Sequence, residues 1–227
     1  MRAFTSSAHA PAPLTTAQGI APQSPPGAAP DTLSDQLRHL MRRLSHSVVV
    51  CTSSQASANG PRHRAMTMSS FTSLALAPRP LVTFNVKAPS STLDAIIASR
   101  TFNIHVLSAD AQGARVAEWF TRGNVQADPF SGLHALGDGW TCVHARGEPP
   151  ALQGDGILSR VRCRVLCDGD GHDKGIVRIS DHVIILGEVQ EVFAGSSQDS
   201  FALTYADRMY RTEGGMIQSH SVPNNKT

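Results

Sequence analysis

Two strand-sized runs, Ala65–Leu76 and Leu81–Lys87, stand in succession with Pro78 and Pro80 between them. Proline cannot donate to a central ladder, so the pair reads as two strands divided by a turn. The same pattern recurs along the chain. Ser47–Thr52 is rich in Val, and Phe102–Leu107 alternates Phe, Ile and Val on one side. In Ile157–Cys167, Ile157, Val161, Cys163, Val165 and Cys167 oppose Arg160, Arg162 and Arg164. Alternation of this kind marks half-buried strands. His182–Phe193 is the longest such run, and Phe201–Arg211 closes the domain.

Three segments carry helical spacing instead. Leu33, Leu37, Leu40, Met41 and Leu44 form one apolar face, with Thr32 and Asp35 placed as a capping box. Arg38, Arg42 and Arg43 fall toward its end, where cations suit the dipole and a solvated face accounts for them. Thr92–Arg100 brings Leu93, Ile96 and Ile97 together, and Asp110–Phe120 does the same for Val116, Trp119 and Phe120. About six strands and two or three helices result. Strands joined by short turns pair antiparallel, so the fold class is mainly β (α+β), a largely antiparallel barrel with flanking helices.

Residues 1–30 hold Pro11, Pro13, Pro22, Pro25, Pro26 and Pro30 without apolar periodicity, and are expected to be disordered. The folded domain is expected over 31–212, followed by a disordered polar tail over 213–227. Residues 121–156 are rich in Gly and irregular, as functional or disordered loops are.

Composition narrows the function. The formal net charge is +2, and no basic stripe points to nucleic acid. No apolar run reaches eighteen residues, so no transmembrane helix is expected. The N-terminus has no apolar signal core, and Arg2 is its only cation, whereas transit peptides are rich in Arg. Cys51, Cys142, Cys163 and Cys167 form no C-x-x-C pair. Cys163 and Cys167 would lie roughly 13 Å apart in a strand, beyond disulfide reach. Reduced thiols in an intracellular protein, cytoplasmic or mitochondrial, fit this usage.

Motifs narrow it further. Asp168-Gly-Asp-Gly-His-Asp173 opens like a calcium loop but has Asp173 where Gly is required and Ile179 where Glu is required, so a hairpin turn is expected. The ten histidines show no zinc spacing. No metal site is expected. Nucleophile-elbow, dinucleotide-fold and P-loop signatures are absent.

Met66–Thr92 survives this screening. Thr67, Ser69 and Ser70 offer hydroxyls inside a strand pattern, suited to the edge of a heteroaromatic ring. Lys87 supplies a point charge. Ser90, Ser91 and Thr92 stand at the start of a helix, where amides and hydroxyls can hold phosphate. An edge strand followed by an ordinary N-cap would have the same composition. His182, far in sequence from this cluster, begins the longest strand and can reach a ligand or carry a proton, although a surface histidine reads the same way.

The same residues carry a family resemblance. Ala65–Ser73 resembles a Met-Thr-x-Ser-Ser-Phe-Thr-Ser segment, Pro78–Val86 a Pro-Pro-Leu-Val strand, and Lys87–Thr92 a Lys-x-x-Ser-Ser-Thr close. Phe102–Asp110, then Asp181-His182 with Leu186-Gly187-Glu188-Val189, then Tyr205, Arg208, Tyr210 and Arg211 follow in order. Together they resemble the flavin reductase-like, FMN-binding split-barrel family over about residues 35–212. Ser180 stands where the family has Gly, and 121–156 is longer than the family's segment.

The resemblance implies a split β-barrel homodimer that binds FMN, with FAD as the other flavin, and takes hydride from NADH or NADPH. It implies that Thr67, Ser69 and Ser70 contact the isoalloxazine, that Asn85 on the next strand belongs to the cofactor-binding set, and that Lys87, Ser90, Ser91 and Thr92 take the ribityl chain and phosphate. His182 would lie near the nicotinamide as the catalytic residue. The implied partner is a monooxygenase that receives the reduced flavin. A flavoprotein oxygenase with its own organic substrate and a non-catalytic FMN-binding electron carrier are the alternatives.

Overall fold

The computed structural model describes residues 32–121, 128–137, 139–168, 174–195 and 200–212. The two tails expected to be disordered, 1–30 and 213–227, lie outside the described residues, as do 169–173 of the Asp168–Gly175 turn.

The elements run α1 (Leu33–Met41), β1 (His46–Ser47), β2 (Val49–Gln55), β3 (Arg62–Met68), β4 (Thr72–Ala75), β5 (Leu81–Lys87), α2 (Ser91–Ser99), β6 (Thr101–Leu107) and α3 (Ala111–Thr121). Then come β7 (Thr141–Val143), β8 (Ala151–Gln153), β9 (Ile157–Val165), β10 (Ile176–Ile179), β11 (His182–Ala194), β12 (Thr204–Ala206) and β13 (Met209–Arg211). The capping box of α1 forms: the Asp35 amide donates to Thr32 Oγ1 at 3.2 Å, and the Thr32 amide to Asp35 Oδ2 at 3.3 Å. That turn belongs to a unit ending at Arg38, and the barrel to one beginning at His39.

The main sheet has the order β3-β2-β6-β9-β11-β5-β4, with β10 also paired to β11. Its pairings are antiparallel. The outermost strands, β3 and β4, are joined by Ser69–Phe71 alone. Six inter-strand steps would separate the edges of a flat sheet by about 29 Å. From Met68 to Thr72 the chain reaches at most about 14 Å. The sheet therefore rolls into a barrel, and Ser69–Phe71 crosses its seam. Ser70 Oγ fastens it, donating to the Asn85 carbonyl and accepting from the Asn85 amide, each at 3.1 Å. The run Ala65–Leu76 is thus two strands on opposite edges and not one, because the chain leaves the ladder at Ser69.

Two cores share β2. Val49 and Cys51 point into one with Phe84, Ile96, Phe102, Ile104, Val165 and Ile185. Val48 and Val50 point into the other with Leu107, Val116, Phe120, Phe130, Leu133, Trp140 and Leu152. The second core corrects the reading of 121–156 as irregular. Its described residues form a 3₁₀ turn at Leu133–Leu136 and the β7–β8 hairpin, and they bury Phe130, Leu136, Trp140 and Leu152. Buried polar groups hold this segment down. Thr52 Oγ1 donates to the Pro150 carbonyl at 2.6 Å, and Asn103 Nδ2 to the Pro149 and Pro150 carbonyls at 3.0 and 3.1 Å. The short strands β1, β7, β8, β10, β12 and β13 escape a reading based on alternation, since two to four residues carry no period.

Candidate functional site

The seam opens into a cleft of about 560 Å³ lined by His46, Ser47, Ser69, Ser70, Phe71 and Asn85, among others. Asn85 is exposed on β5, and Lys87, two residues further, shares its face because side chains alternate along a strand. Across the β5–β11 ladder, His182 pairs with Lys87 and Ile184 with Asn85. Ser70 and Asn85 thus stand on the same barrel edge as Lys87 and His182, and α2 begins four residues after Lys87.

Asp181 joins the two sides. Its Oδ1 lies 2.7 Å from His182 Nδ1, and its Oδ2 lies 3.5 Å from Lys87 Nζ. The hydrogen bond from His182, helped by the Lys87 charge, holds the Asp181 carboxyl below the usual carboxylate range. With Nδ1 donating to Asp181, the Nε2 of His182 is the nitrogen left to meet a ligand. The residue pair Ser180–Asp181 forms the β10–β11 turn, in which Ile179 opposes His182. Ser180 has φ 53° there, a conformation that favours Gly and explains the family's Gly at this place.

The other candidate residues divide. Ser69 is exposed at the seam. Ser70 is committed to Asn85 through its hydroxyl, so it forms the wall of the cleft. Thr67 donates its hydroxyl to the Ala117 carbonyl of α3 at 2.7 Å and ties α3 to β3. Ser90 caps α2, its hydroxyl accepting from the Leu93 amide at 3.3 Å, which leaves the hydroxyl proton to donate. Ser91 Oγ is buried with no protein partner. Thr92 is fully buried, so its side chain presents no hydroxyl to solvent. A second cavity, about 570 Å³ at the far end of the β2–β3 hairpin beside Ser54, His63 and Arg146, contains none of the candidate residues.

These donors suit an FMN. A phosphate calls for a cation and a helix N-terminus, which Lys87 and α2 supply within four residues of each other, and the orphaned Ser91 hydroxyl sits at that helix start. The polar edge of a flavin ring calls for exposed donors and acceptors, which Ser69 and Asn85 supply. Asp181 is the residue that sequence reasoning passed over, although its place beside His182 in a two-residue turn was visible.

The sequence matches the flavin reductase like domain over residues 41–214. It is 30% identical over 205 residues to the NADH:FMN oxidoreductase of Rhodococcus erythropolis, covering 87% of this chain and 94% of that protein. In structure it is similar to the NADH:FAD oxidoreductase SgcE6 of Streptomyces globisporus, with a TM-score of 0.60 at 23% identity, covering 84% of this chain and 100% of that one. It is also similar to a homolog of nitrilotriacetate monooxygenase component B from Mycobacterium thermoresistibile, with a TM-score of 0.63 at 19% identity over 86% and 95% of the two chains.

Proposed function

The chain belongs to the flavin reductase-like domain family and is an NAD(P)H:flavin oxidoreductase; we propose that the barrel seam holds FMN and that His182 meets the hydride donor there. The observation that carries this reading is the register of β5 on β11, which sets Asn85, Lys87, Asp181 and His182 on one edge beside the seam. Ser69 and Asn85 orient the ring. Lys87, the Ser90 and Ser91 hydroxyls and the first turn of α2 take the ribityl phosphate, while Thr67, Ser70 and Thr92 shape the walls around it. The bound flavin supplies the hydride-accepting chemistry, and the protein supplies orientation and a polar-edged pocket. Asp181 fixes the ring of His182 and its tautomer, so that Nε2 faces the nicotinamide as a positioning donor or acceptor.

The fold's likeness to a monooxygenase component supports transfer of reduced flavin to a separate oxygenase. Exposed apolar residues on and beside edge strand β4, Leu74 and Leu76, together with Leu40 and Leu44, support a homodimer that covers them. No helix among the described residues is long and apolar enough to cross a membrane. With four free cysteines, we place the protein inside the cell.

The test mixes purified protein, NADH and excess FMN in air and follows loss of NADH absorbance, with light scattering for the dimer. Turnover that needs only the flavin supports the reductase. Loss of NADH only after an organic compound is added would make the protein an oxygenase, and a yellow protein inert to NADH would make it a carrier.

A further inference from the structure

A third, smaller cavity of about 250 Å³ lies beside the flavin cleft and shares Ser69 with it. Its wall includes the polar and aromatic groups of Thr67, Ser69, Glu118, Tyr205, Arg208 and Tyr210. They come from β3, α3 and the β12–β13 hairpin. Tyr205 and Tyr210 are paired across that hairpin, their rings edge to face at 5.4 Å. The hairpin turns on two residues, Asp207 and Arg208, with φ 50° and 61°. Positive φ at both positions is the type I′ pattern, whose second position is ordinarily Gly. Asp tolerates that conformation, but Arg does so only at a conformational cost. Among the described residues Arg208 makes no hydrogen bond or ion pair within the chain. A strained turn thus holds an unpaired guanidinium at the rim of a cavity that adjoins the flavin cleft.

The wall chemistry matches one half of a dinucleotide. A guanidinium grips phosphate, a carboxylate such as Glu118 accepts from ribose hydroxyls, and an aromatic surface packs on a planar base. The same Glu118 sits close enough to Tyr210 to help burial push its phenol up to about 12, so that phenol stays a hydrogen-bond donor. The cavity lies on the Thr67 side of Ser69, whereas Lys87 lies on the Asn85 side. A phosphate at Arg208 is therefore not the one proposed for FMN at Lys87.

Building on the reductase reading, we propose that this cavity is the nucleotide subsite of the hydride donor, with Arg208 holding a phosphate of NADH or NADPH and Glu118 its ribose hydroxyls. FAD carries a second phosphate of the same chemistry, and the experiment separates the two sources.

The experiment uses Arg208→Gly and Arg208→Lys in the full chain. Gly relieves the turn, so thermal melting of R208G should be no lower than that of the wild type, and a loss of affinity cannot be charged to misfolding. KM is measured for NADH and for 1-benzyl-1,4-dihydronicotinamide, a hydride donor without phosphate. R208G should raise the KM for NADH about tenfold to a hundredfold, and the preference for NADH over the phosphate-free donor should fall by the same factor. Arg208→Lys should restore part of it. Titrations with FMN and FAD run in parallel, as does NADH binding without flavin, followed by nucleotide fluorescence. An unchanged KM for NADH, or an equal loss with both donors, would overturn the proposal. So would a selective loss of FAD affinity with NADH intact. A wild-type protein that oxidises neither donor defeats the reductase reading instead, while the fluorescence titration still decides the Arg208 contact.

Discussion

His182 stands directly opposite Lys87 on the β5–β11 ladder, and Asp181 bonds to both side chains, at 2.7 Å to the imidazole and 3.5 Å to the ammonium. Residues separated by 95 positions in the sequence thus form one exposed cation–carboxylate–imidazole row along the barrel edge. The row couples the two ends of the proposed chemistry: a phosphate that engages Lys87 competes with Asp181, the same carboxylate that orients His182.

Lys87→Ala is expected to weaken FMN far more than riboflavin. The ammonium is proposed to act on the phosphate, which riboflavin lacks. A charge-assisted contact of this kind is worth about ten- to a hundredfold in affinity. Fluorescence titration with both flavins measures it, and equal weakening of the two would show that Lys87 works only through Asp181.

His182→Ala is expected to slow reduction of bound flavin by NADH while FMN remains bound. If Nε2 orients the nicotinamide, its loss costs reacting geometry, and small misplacements of that kind cost about a hundredfold in rate. Stopped-flow reduction beside an FMN titration separates the cases. Because His182 adjoins Lys87, loss of FMN in this variant would assign the imidazole to the phosphate end of the cleft. An unchanged rate would leave it a surface histidine.

Much of this was legible before the structure. The strands β5 and β11 were readable because they bury alternate residues against one core, and β2 and β6, buried on both faces, because they are runs of β-branched and aromatic residues. The ordered motifs from Met66 to Tyr210 carried the fold family. What the sequence could not reveal lies in three dimensions. The closure at Ser69–Phe71 depends on which strands become edges. The commitment of Thr67 to α3 and of Ser70 to Asn85 depends on neighbours remote in sequence, so three hydroxyls that look equivalent in a row differ in what they can still donate. Arg208 was visible as part of a motif, but its strained turn was not.

Gly187→Ala is expected to destabilise the barrel. A Cβ there would stand 2.5 Å from Phe102 Cζ. Phe102 is fully buried and packed edge to face on Phe84 with centroids 5.3 Å apart, so it has little room to yield. Overpacking of this kind costs about 1–3 kcal/mol. Urea unfolding reads it directly, and a variant as stable as the wild type would mean that β11 shifts away from β6 without penalty.

The last expectation concerns pH. His105 is fully buried on β6, with Nδ1 3.3 Å from the Val50 carbonyl and Nε2 accepting from the Leu152 amide at 3.0 Å. Accepting at Nε2 requires the neutral ring with its proton on Nδ1, donated to Val50. Burial pushes its pKa down to about 3, against the opposing pull of the Val50 carbonyl and with a further push from Arg160. An unfolded histidine titrates near 6.5, so below that pH the unfolded chain takes up a proton that the folded chain refuses. The stabilising difference is complete above pH 6.5 and is lost as pH falls toward about 3, at up to about 1.4 kcal/mol per pH unit. By pH 4 this one residue removes about 3 kcal/mol, and the Leu152 contact that holds β8 against the barrel is lost on protonation. Urea unfolding at pH 7, 6, 5 and 4.5 measures the slope. His105→Gln, which cannot titrate, should flatten it by about one proton's worth; identical slopes in the two proteins would place the acid sensitivity in other groups.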